Sequence, residues 1–353
     1  MTTETVQNSA STNGSELLLR ADNVSKTFVA GTFRKHYTHA LDTVTFSVPE
    51  SPPTITAIAG ESGSGKTTLA RTVLGLVEPT SGKVIYRGNN VAEMSRAQHA
   101  EFRREVQVVF QDPFESYNPF YKVDHVLRTP IRRYNLASSK SEADGIVEEA
   151  LRTVGLRPEE TLGRHPHQLS GGQRQRVMVA RAVMLKPKII VADEPVSMVD
   201  ASLRATILET LRAMNQDLGI SILYITHDLT TAFQIAENII VLYKGRVAEA
   251  GSVESVINDP THPYTQLLVS SIPQPDPETQ WGREQETRDE DEIPLTGCNF
   301  YDRCPLRMDE CTNADPPLYH TAQNRITRCY RYADSPVHLA PDLRSVFAET
   351  NPN

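Results

Sequence analysis

An α/β fold, a mostly parallel sheet covered on both faces by helices, is predicted by three observations in this 353-residue sequence. Gly60-Glu-Ser-Gly-Ser-Gly-Lys-Thr67 fits the pattern G-x-x-x-x-G-K-[ST] at every fixed position, between an apolar run at 54–59 and a helical pattern from Thr68. Strand-like and helix-like segments alternate from there to about residue 250. A second apolar run, 188–192, ends in two carboxylates, Asp193 and Glu194.

Taken in order, residues 1–16 are polar, rich in Ser, Thr and Asn, and read as an unstructured tail without the apolar stretch of a signal peptide. Residues 17–24 and 40–48 read as strands by β-branched content and partial alternation. The polar loop between them carries three aromatics, Phe28, Phe33 and Tyr37. In a nucleotide-binding protein one of these would stack on adenine. Phe28, directly off the first strand, is the first choice and Tyr37 the second; the alternative is that all of them pack on the domain edge.

The run at 54–59 is short and apolar, as a buried strand is. The glycines after it let successive backbone N–H groups turn inward as an anion nest, and the following helix adds its N-terminal dipole. The loop Gly60, Glu61, Ser62, Gly63, Ser64, Gly65, Lys66, Thr67, with Thr68 behind it, is therefore expected to hold a polyphosphate. Lys66 would reach the β- and γ-phosphates and the Thr67 hydroxyl would bind Mg²⁺.

Residues 83–87 and 105–110 read as short strands, followed by Gln111. From about 111 to 187 the pattern becomes mainly helical, at 123–133 and at 140–154, where Ile146, Val147, Ala150, Leu151 and Val154 share one face. Leu169-Ser-Gly-Gly-Gln173 opens a further helix. Strand 188–194, helix 201–218, strand 221–226 with His227 after it, a helix to 236 and a hairpin of 238–243 with 246–250 complete the alternation. Two short helical patterns, 253–258 and 262–271, precede a proline-rich linker at 273–277 and a charged, solvated run at 283–292. All four cysteines, 298, 304, 311 and 329, follow. The expected division is a tail at 1–16, a nucleotide-binding domain at 17–250 with a helical subdomain at about 111–187, an extension at 251–335 and a second tail at 336–353.

A net charge of −8 and an isoelectric point near 5.7 leave no global basic footprint for nucleic acid. No run approaches the ~18 apolar residues of a membrane span. The expectation is a soluble, cytoplasmic protein that can still dock on a membrane partner. Asp193 after a buried strand would hold Mg²⁺, and Glu194 would polarise the attacking water.

Together these residues resemble one family, the nucleotide-binding subunits of ABC transporters. Leu169-Ser-Gly-Gly-Gln173 matches the family signature without a substitution. Gln111 is similar to its Q-loop, Asp193 and Glu194 to its Walker B and catalytic Glu, Ser197-Met-Val-Asp200 to its D-loop and His227 to its switch histidine, all in the family's order. Met198 and Val199 stand where the family usually has Ala-Leu, while Asp200 is retained. The resemblance implies a P-loop NTPase of ABC type, a RecA-like core with an antiparallel β subdomain and a helical insertion. It implies ATP and Mg²⁺, the latter held by Thr67, Gln111 and Asp193, and an ATPase whose catalytic residues are Glu194, His227 and Gln111. It also implies a head-to-tail dimer with a second, homologous or identical ATPase subunit. Ser170, Gly171, Gly172, Gln173 and Asp200 of one subunit would then close the nucleotide site of the other.

His262-Pro-Tyr-Thr265, Leu267-Leu268 and the cysteine-bearing end look like the C-terminal extension of the oligopeptide/dipeptide class. That implies two membrane permeases as partners, an extracytoplasmic binding protein indirectly, a place on the cytoplasmic face of the membrane and no nucleic acid. Substrates within the class run from dipeptides and oligopeptides to nickel and some oligosaccharides. The alternatives are a soluble ABC ATPase acting on DNA or ribosomes, and a subunit with a dead site. Cysteine gaps of this width lack the C-x₂₋₄-C pairs usual for zinc. Cys298, Cys304, Cys311 and Cys329 are compatible with an iron–sulfur cluster, and a 4Fe–4S cluster is implied by the resemblance to some members; zinc, free thiols and disulfides stay open.

Overall fold

The computed structural model describes residues 17–31, 35–111, 117–197, 199–272, 296–340 and 342–347. The N-terminal tail, Met198, the proline-rich linker and the acidic run therefore lie outside the described residues.

Two sheets form the frame. The larger has eight strands in the order β11-β12-β10-β9-β3-β8-β7-β6. Its parallel centre is β9 (Asn238–Tyr243), β3 (Ile55–Ala59), β8 (Ser221–Thr226), β7 (Ile189–Asp193) and β6 (Val106–Val109). Strands β3, β7, β8 and β9 are buried along their whole length. That is why they read as continuous apolar runs rather than alternating ones. Alternate residues feed two cores. Ile55, Ala57, Ile190, Ala192, Ile222 and Ile239 join the cluster shared with the helices. Ile58, Ile189, Val191, Leu223, Ile225 and Ile240 join a cluster shared with the second sheet.

The second sheet is antiparallel, order β2-β1-β4-β5, from β1 (Leu17–Ala30), β2 (His36–Pro49), β4 (Ser81–Tyr86) and β5 (Asn89–Asn90). Strands β1 and β2 run further than the expected 17–24 and 40–48. The stretch read as a polar loop pairs in register, Phe28 with Thr38 and Val29 with Tyr37. Its β-branched and aromatic residues satisfy the ladder although the arm stands largely in solvent.

The helical block contains α3 (Val123–Tyr134), α4 (Lys140–Thr153), α5 (Pro158–Thr161) and α6 (Gly171–Val183). Around the core lie α1 (Lys66–Val73), α2 (Arg96–Glu105), α7 (Ala201–Leu218), α8 (Leu229–Ile235), α9 (Val253–Asn258) and α10 (Pro263–Ser270).

The C-terminal part does not stand apart from the core. Strand β10 (Arg246–Ser252) pairs antiparallel with β9 and with β12 (Arg325–Thr327), which pairs with β11 (Tyr319–Ala322). The main sheet thus continues into the extension across residue 250. The stretch read as a second tail also packs: Leu343 and Val346 are buried in the core beside the antiparallel sheet, and the Ser47 hydroxyl donates to Asp342 at 3.0 Å.

Candidate nucleotide site

The glycine loop leaves the C-terminal end of β3, in the crevice where open α/β sheets bind ligands. Gly65 has φ +105°, and a Cβ there would run into the Ala40 carbonyl. Gly60, at φ +148°, is similarly crowded by the Leu242 carbonyl. Both positions need glycine for conformation and for space. Helix α1 starts at Lys66, and its first residues line one cavity with the glycine loop. The Lys66 side chain is buried and its Nζ donates to the carbonyls of Gly60 at 2.6 Å and Glu61 at 2.9 Å. Burial lowers its pKa, while Glu194, Asp193 and Glu61 raise it in turn.

The two carboxylates differ in environment. Asp193, the last residue of β7, is buried, and desolvation together with neighbouring Glu194 raises its pKa. The neighbouring Thr67 hydroxyl lowers it in part, and Asp193 Oδ1 has no hydrogen-bond partner. An orphaned buried carboxylate oxygen beside a threonine hydroxyl fits the oxygen-rich site that Mg²⁺ takes. Glu194 turns off the strand at φ +46° and donates its N–H to the Ile225 carbonyl at 2.9 Å. Its carboxylate is held from two sides. Gln111 Nε2 donates to Oε2 at 2.8 Å, and His227 Nδ1 lies 3.0 Å from Oε1. Gln111 follows β6, Glu194 follows β7 and His227 follows β8, three neighbouring parallel strands ending at the same edge.

A cavity of about 630 Å³ gathers Glu61, Ser62, Gly63, Gly65, Lys66, Thr67 and Thr68 with Gln111, Glu194 and His227. Thr38, His39, Ala40 and Leu268 complete its wall. Phe28 is not among the lining residues; it is 44% exposed on β1, paired with lining residue Thr38, and Lys26 Nζ lies 5.2 Å from its ring centre. His39 was missed in the sequence because the stretch before residue 40 reads as a polar loop, whereas His39 lies on β2.

The signature residues stand elsewhere. Ser170 caps α6 in a reciprocal box: it accepts from the Gln173 N–H at 3.2 Å while Gln173 Oε1 accepts from the Ser170 N–H at 2.9 Å. Neither Ser170 to Gln173 nor Asp200 lines the cavity that holds the glycine loop. Asp200 caps α7, accepting from the Leu203 N–H at 3.0 Å. Gly172 is buried against Leu203, where a Cβ would lie 2.5 Å from Leu203 Cδ1, so signature helix and Asp200 turn are packed as one unit.

All four cysteines are free and line one small cavity with His262, Phe300 and Tyr301. Burial raises three of the thiols, Cys298 to about 12 and Cys329 to about 11, with Cys304 also raised. Among the described residues no group of three or more His, Cys, Asp or Glu side chains is disposed to hold a metal ion. The space between the thiols is about 10 Å³, the room of one water. The expected iron–sulfur cluster therefore has its donor atoms at one place but no formed site.

One connection was not anticipated. Tyr264 and Arg303, both from the extension, reach the glycine loop: the Glu61 N–H donates to the Tyr264 hydroxyl at 2.8 Å, and Arg303 pairs with the Glu61 carboxylate at 2.7 and 2.9 Å.

A glycine loop, two strand-end carboxylates, a glutamine and a histidine on adjacent strands, and a helical block opened by Ser-Gly-Gly-Gln define an ATP-binding cassette. The family described as ABC transporter matches residues 41–197, and the oligopeptide/dipeptide transporter C-terminal region matches 248–311. A putative oligopeptide transport ATP-binding protein of Bacillus subtilis, YkfD, is 38% identical over 90% of this chain and 96% of its own length. The oligopeptide transport ATP-binding protein OppF of Salmonella typhimurium is 37% identical over 79% of this chain and 84% of its own. Among solved structures, the dimeric cassette MJ0796 bound to ADP and Pi superposes with a TM-score of 0.60 at 30% identity, covering 67% of this chain and 98% of that one. The chain belongs to the ATP-binding subunits of ABC transporters, in the branch that carries the oligopeptide/dipeptide C-terminal region, and it is an ATPase. No described helix is long and apolar enough to cross a membrane.

Proposed function

We propose that this chain powers a peptide importer, hydrolysing ATP as a peripheral subunit on the cytoplasmic face of the membrane. The observation that carries the reading is a division of parts. One cavity collects Lys66, Thr67, Gln111, Glu194 and His227, while Ser170, Gly172 and Asp200 stand outside it. Two chains arranged head to tail would let the signature of each close the loop of the other, with Ser170 and Gly172 reaching the far γ-phosphate.

Bound Mg²⁺ would supply charge neutralisation of the phosphates. Thr67, Asp193 and, through its side-chain amide, Gln111 are the residues that would hold it. Lys66 binds the β- and γ-phosphates after leaving the carbonyls of Gly60 and Glu61. Glu194 accepts a proton from the attacking water, and its two hydrogen bonds aim the carboxylate. His227, more than half exposed, is free to contact the γ-phosphate. Phe28 is proposed to stack on adenine from the hairpin arm.

A groove of about 640 Å³ between the Gln111 strand and the helical block supports the permease contact. Phe110, Tyr117, Tyr121, Val126 and Tyr134 line it with Arg103, Arg133 and Arg181. An apolar floor with basic flanks beside Gln111 suits a short loop of a membrane permease and would report its movement to the site. An extracytoplasmic binding protein would deliver peptide to that permease.

Phosphate release measured over a range of subunit concentrations tests the dimer. The rate per subunit is expected to rise with concentration, and again on assembly with two permeases and added peptide. A fully active, concentration-independent monomer would contradict the reading; recovery with ribosomes or DNA instead of permeases would replace it.

For the cysteines we propose a 4Fe–4S cluster, supported by four free thiols around one cavity. Cys298, Cys304, Cys311 and Cys329 would hold it as thiolates. Iron and acid-labile sulfide analysis with visible absorption of anaerobically purified protein decides; colourless, iron-free material with intact thiols would end the proposal.

A further inference from the structure

We propose that Tyr264 and Arg303 of the C-terminal extension are positioning residues of the nucleotide site, acting on Glu61 of the glycine loop. Four separate atoms of Glu61 are engaged at once. Its N–H donates to the Tyr264 hydroxyl at 2.8 Å. Its carboxylate takes two hydrogen bonds from the Arg303 guanidinium, at 2.7 and 2.9 Å. Its carbonyl accepts from Lys66 Nζ at 2.9 Å. The extension therefore grips the same residue that parks the phosphate-binding lysine.

The grip is rigid. Tyr264 is fully buried, its ring 4.5 Å from that of Tyr243 and 5.6 Å from that of Phe300. The Arg303 guanidinium lies 5.7 Å from the Phe300 ring and 5.9 Å from the Tyr243 ring. Tyr243 belongs to the central sheet, so both contacts are anchored on the core and not on a free-standing appendage. A bidentate arginine pair fixes direction as well as charge.

Charge gives the arrangement its purpose. Glu61 lines the cavity where a polyphosphate binds. An uncompensated carboxylate there would repel the ligand, and Arg303 neutralises it. Arg303→Ala should therefore weaken nucleotide binding through repulsion from a bare Glu61, and removing that charge as well should restore it. A merely structural Arg303 gives the opposite order, because the double variant would lose two packing groups instead of one.

The proposal rests on residues 60–67 being the ATP loop, and one titration separates the two ideas. The full-length chain is titrated with Mg-ATP under non-turnover conditions, with kcat and KM measured alongside and folding checked by thermal melt. Lys66→Ala tests the site itself: unchanged binding there would sink the site and this proposal together. With Lys66→Ala defective, Arg303→Ala is expected to raise Kd and KM about tenfold, with kcat within about threefold and the defect shrinking in high salt. Glu61→Gln/Arg303→Ala is expected to return within about threefold of wild type, and Tyr264→Phe, which keeps the ring, to raise Kd several-fold. A double variant no better than Arg303→Ala, or wild-type binding by both Arg303→Ala and Tyr264→Phe, would overturn the proposal.

Discussion

Replacing Glu194 by glutamine removes a proton acceptor and almost nothing else. The carboxylate now takes one hydrogen bond from Gln111 at 2.8 Å and meets His227 Nδ1 at 3.0 Å. A glutamine amide has the same reach: its oxygen accepts from Gln111 and its nitrogen faces His227 Nδ1. Stability should change by no more than about 1 kcal/mol. A positioned general base contributes about 10²–10⁴ in rate, which at about 1.4 kcal/mol per tenfold is roughly 3–5.5 kcal/mol of barrier. The lost charge also relieves Asp193, whose pKa Glu194 raises, and it reduces repulsion toward the nucleotide. ATP should therefore bind at least as tightly while turnover collapses. The assay is phosphate release at saturating Mg-ATP, with size-exclusion chromatography to detect a trapped ATP-bound dimer. Turnover within about threefold of wild type, with ATP binding intact, would refute Glu194 as the base. Glu194→Ala gives a contrast, since it strands both Gln111 and His227 and should disturb binding as well.

Gly65→Ala should abolish ATP binding in a titration and lower the melting temperature, because the new Cβ meets the Ala40 carbonyl at φ +105°; unchanged binding would show that the loop can shift. Glu249 is fully buried and accepts from Thr261 N at 3.0 Å, Thr261 Oγ1 at 2.7 Å and His262 N at 2.9 Å. Glu249→Ala leaves the N–H groups of Thr261 and His262 without this acceptor, the Thr261 hydroxyl keeping Thr327, and should cost about 2–5 kcal/mol by chemical denaturation. His262 is buried, which pulls its pKa down to about 3. The folded value lies below the unfolded one, near 6.5, so its stabilisation is complete above that pH and is lost below it at about 1.4 kcal/mol per pH unit. His262→Asn keeps an acceptor for the Tyr264 N–H, 3.0 Å away in the native cap, and should flatten this acid slope; an unchanged slope would exonerate His262.

Much of the frame was legible because it is buried on both faces. Strands β3, β7, β8 and β9 announce themselves as apolar runs, and Asp193, Glu194 and His227 fall at their ends. The glycine loop and the capped signature helix are local in sequence, so their chemistry could be read from spacing alone. What escaped notice depends on distant partners. Helix α2 buries only Phe102 and so carries no apolar stripe. Strands β11 and β12 are four and three residues long and owe their form to pairing with β10. The Arg303 contact joins residues 242 positions apart, and Leu343 and Val346 find their core only after the antiparallel sheet has formed.

Strand β10 offers one side to β9 and the other to β12. Within it Arg246 pairs with Asp42 of β2 on one hand and with Asp315, at 2.6 Å, on the other. A gene trimmed to the cassette alone would end in an open, hydrophobic sheet margin, with Glu249 robbed of its donors and Arg246 of one acid, which is a template for self-association. Chimeras between branches of this family should accordingly be joined upstream of β9 or not at all. The branch-specific end is woven into the core's own sheet, so cassette and extension should fold as a single unit.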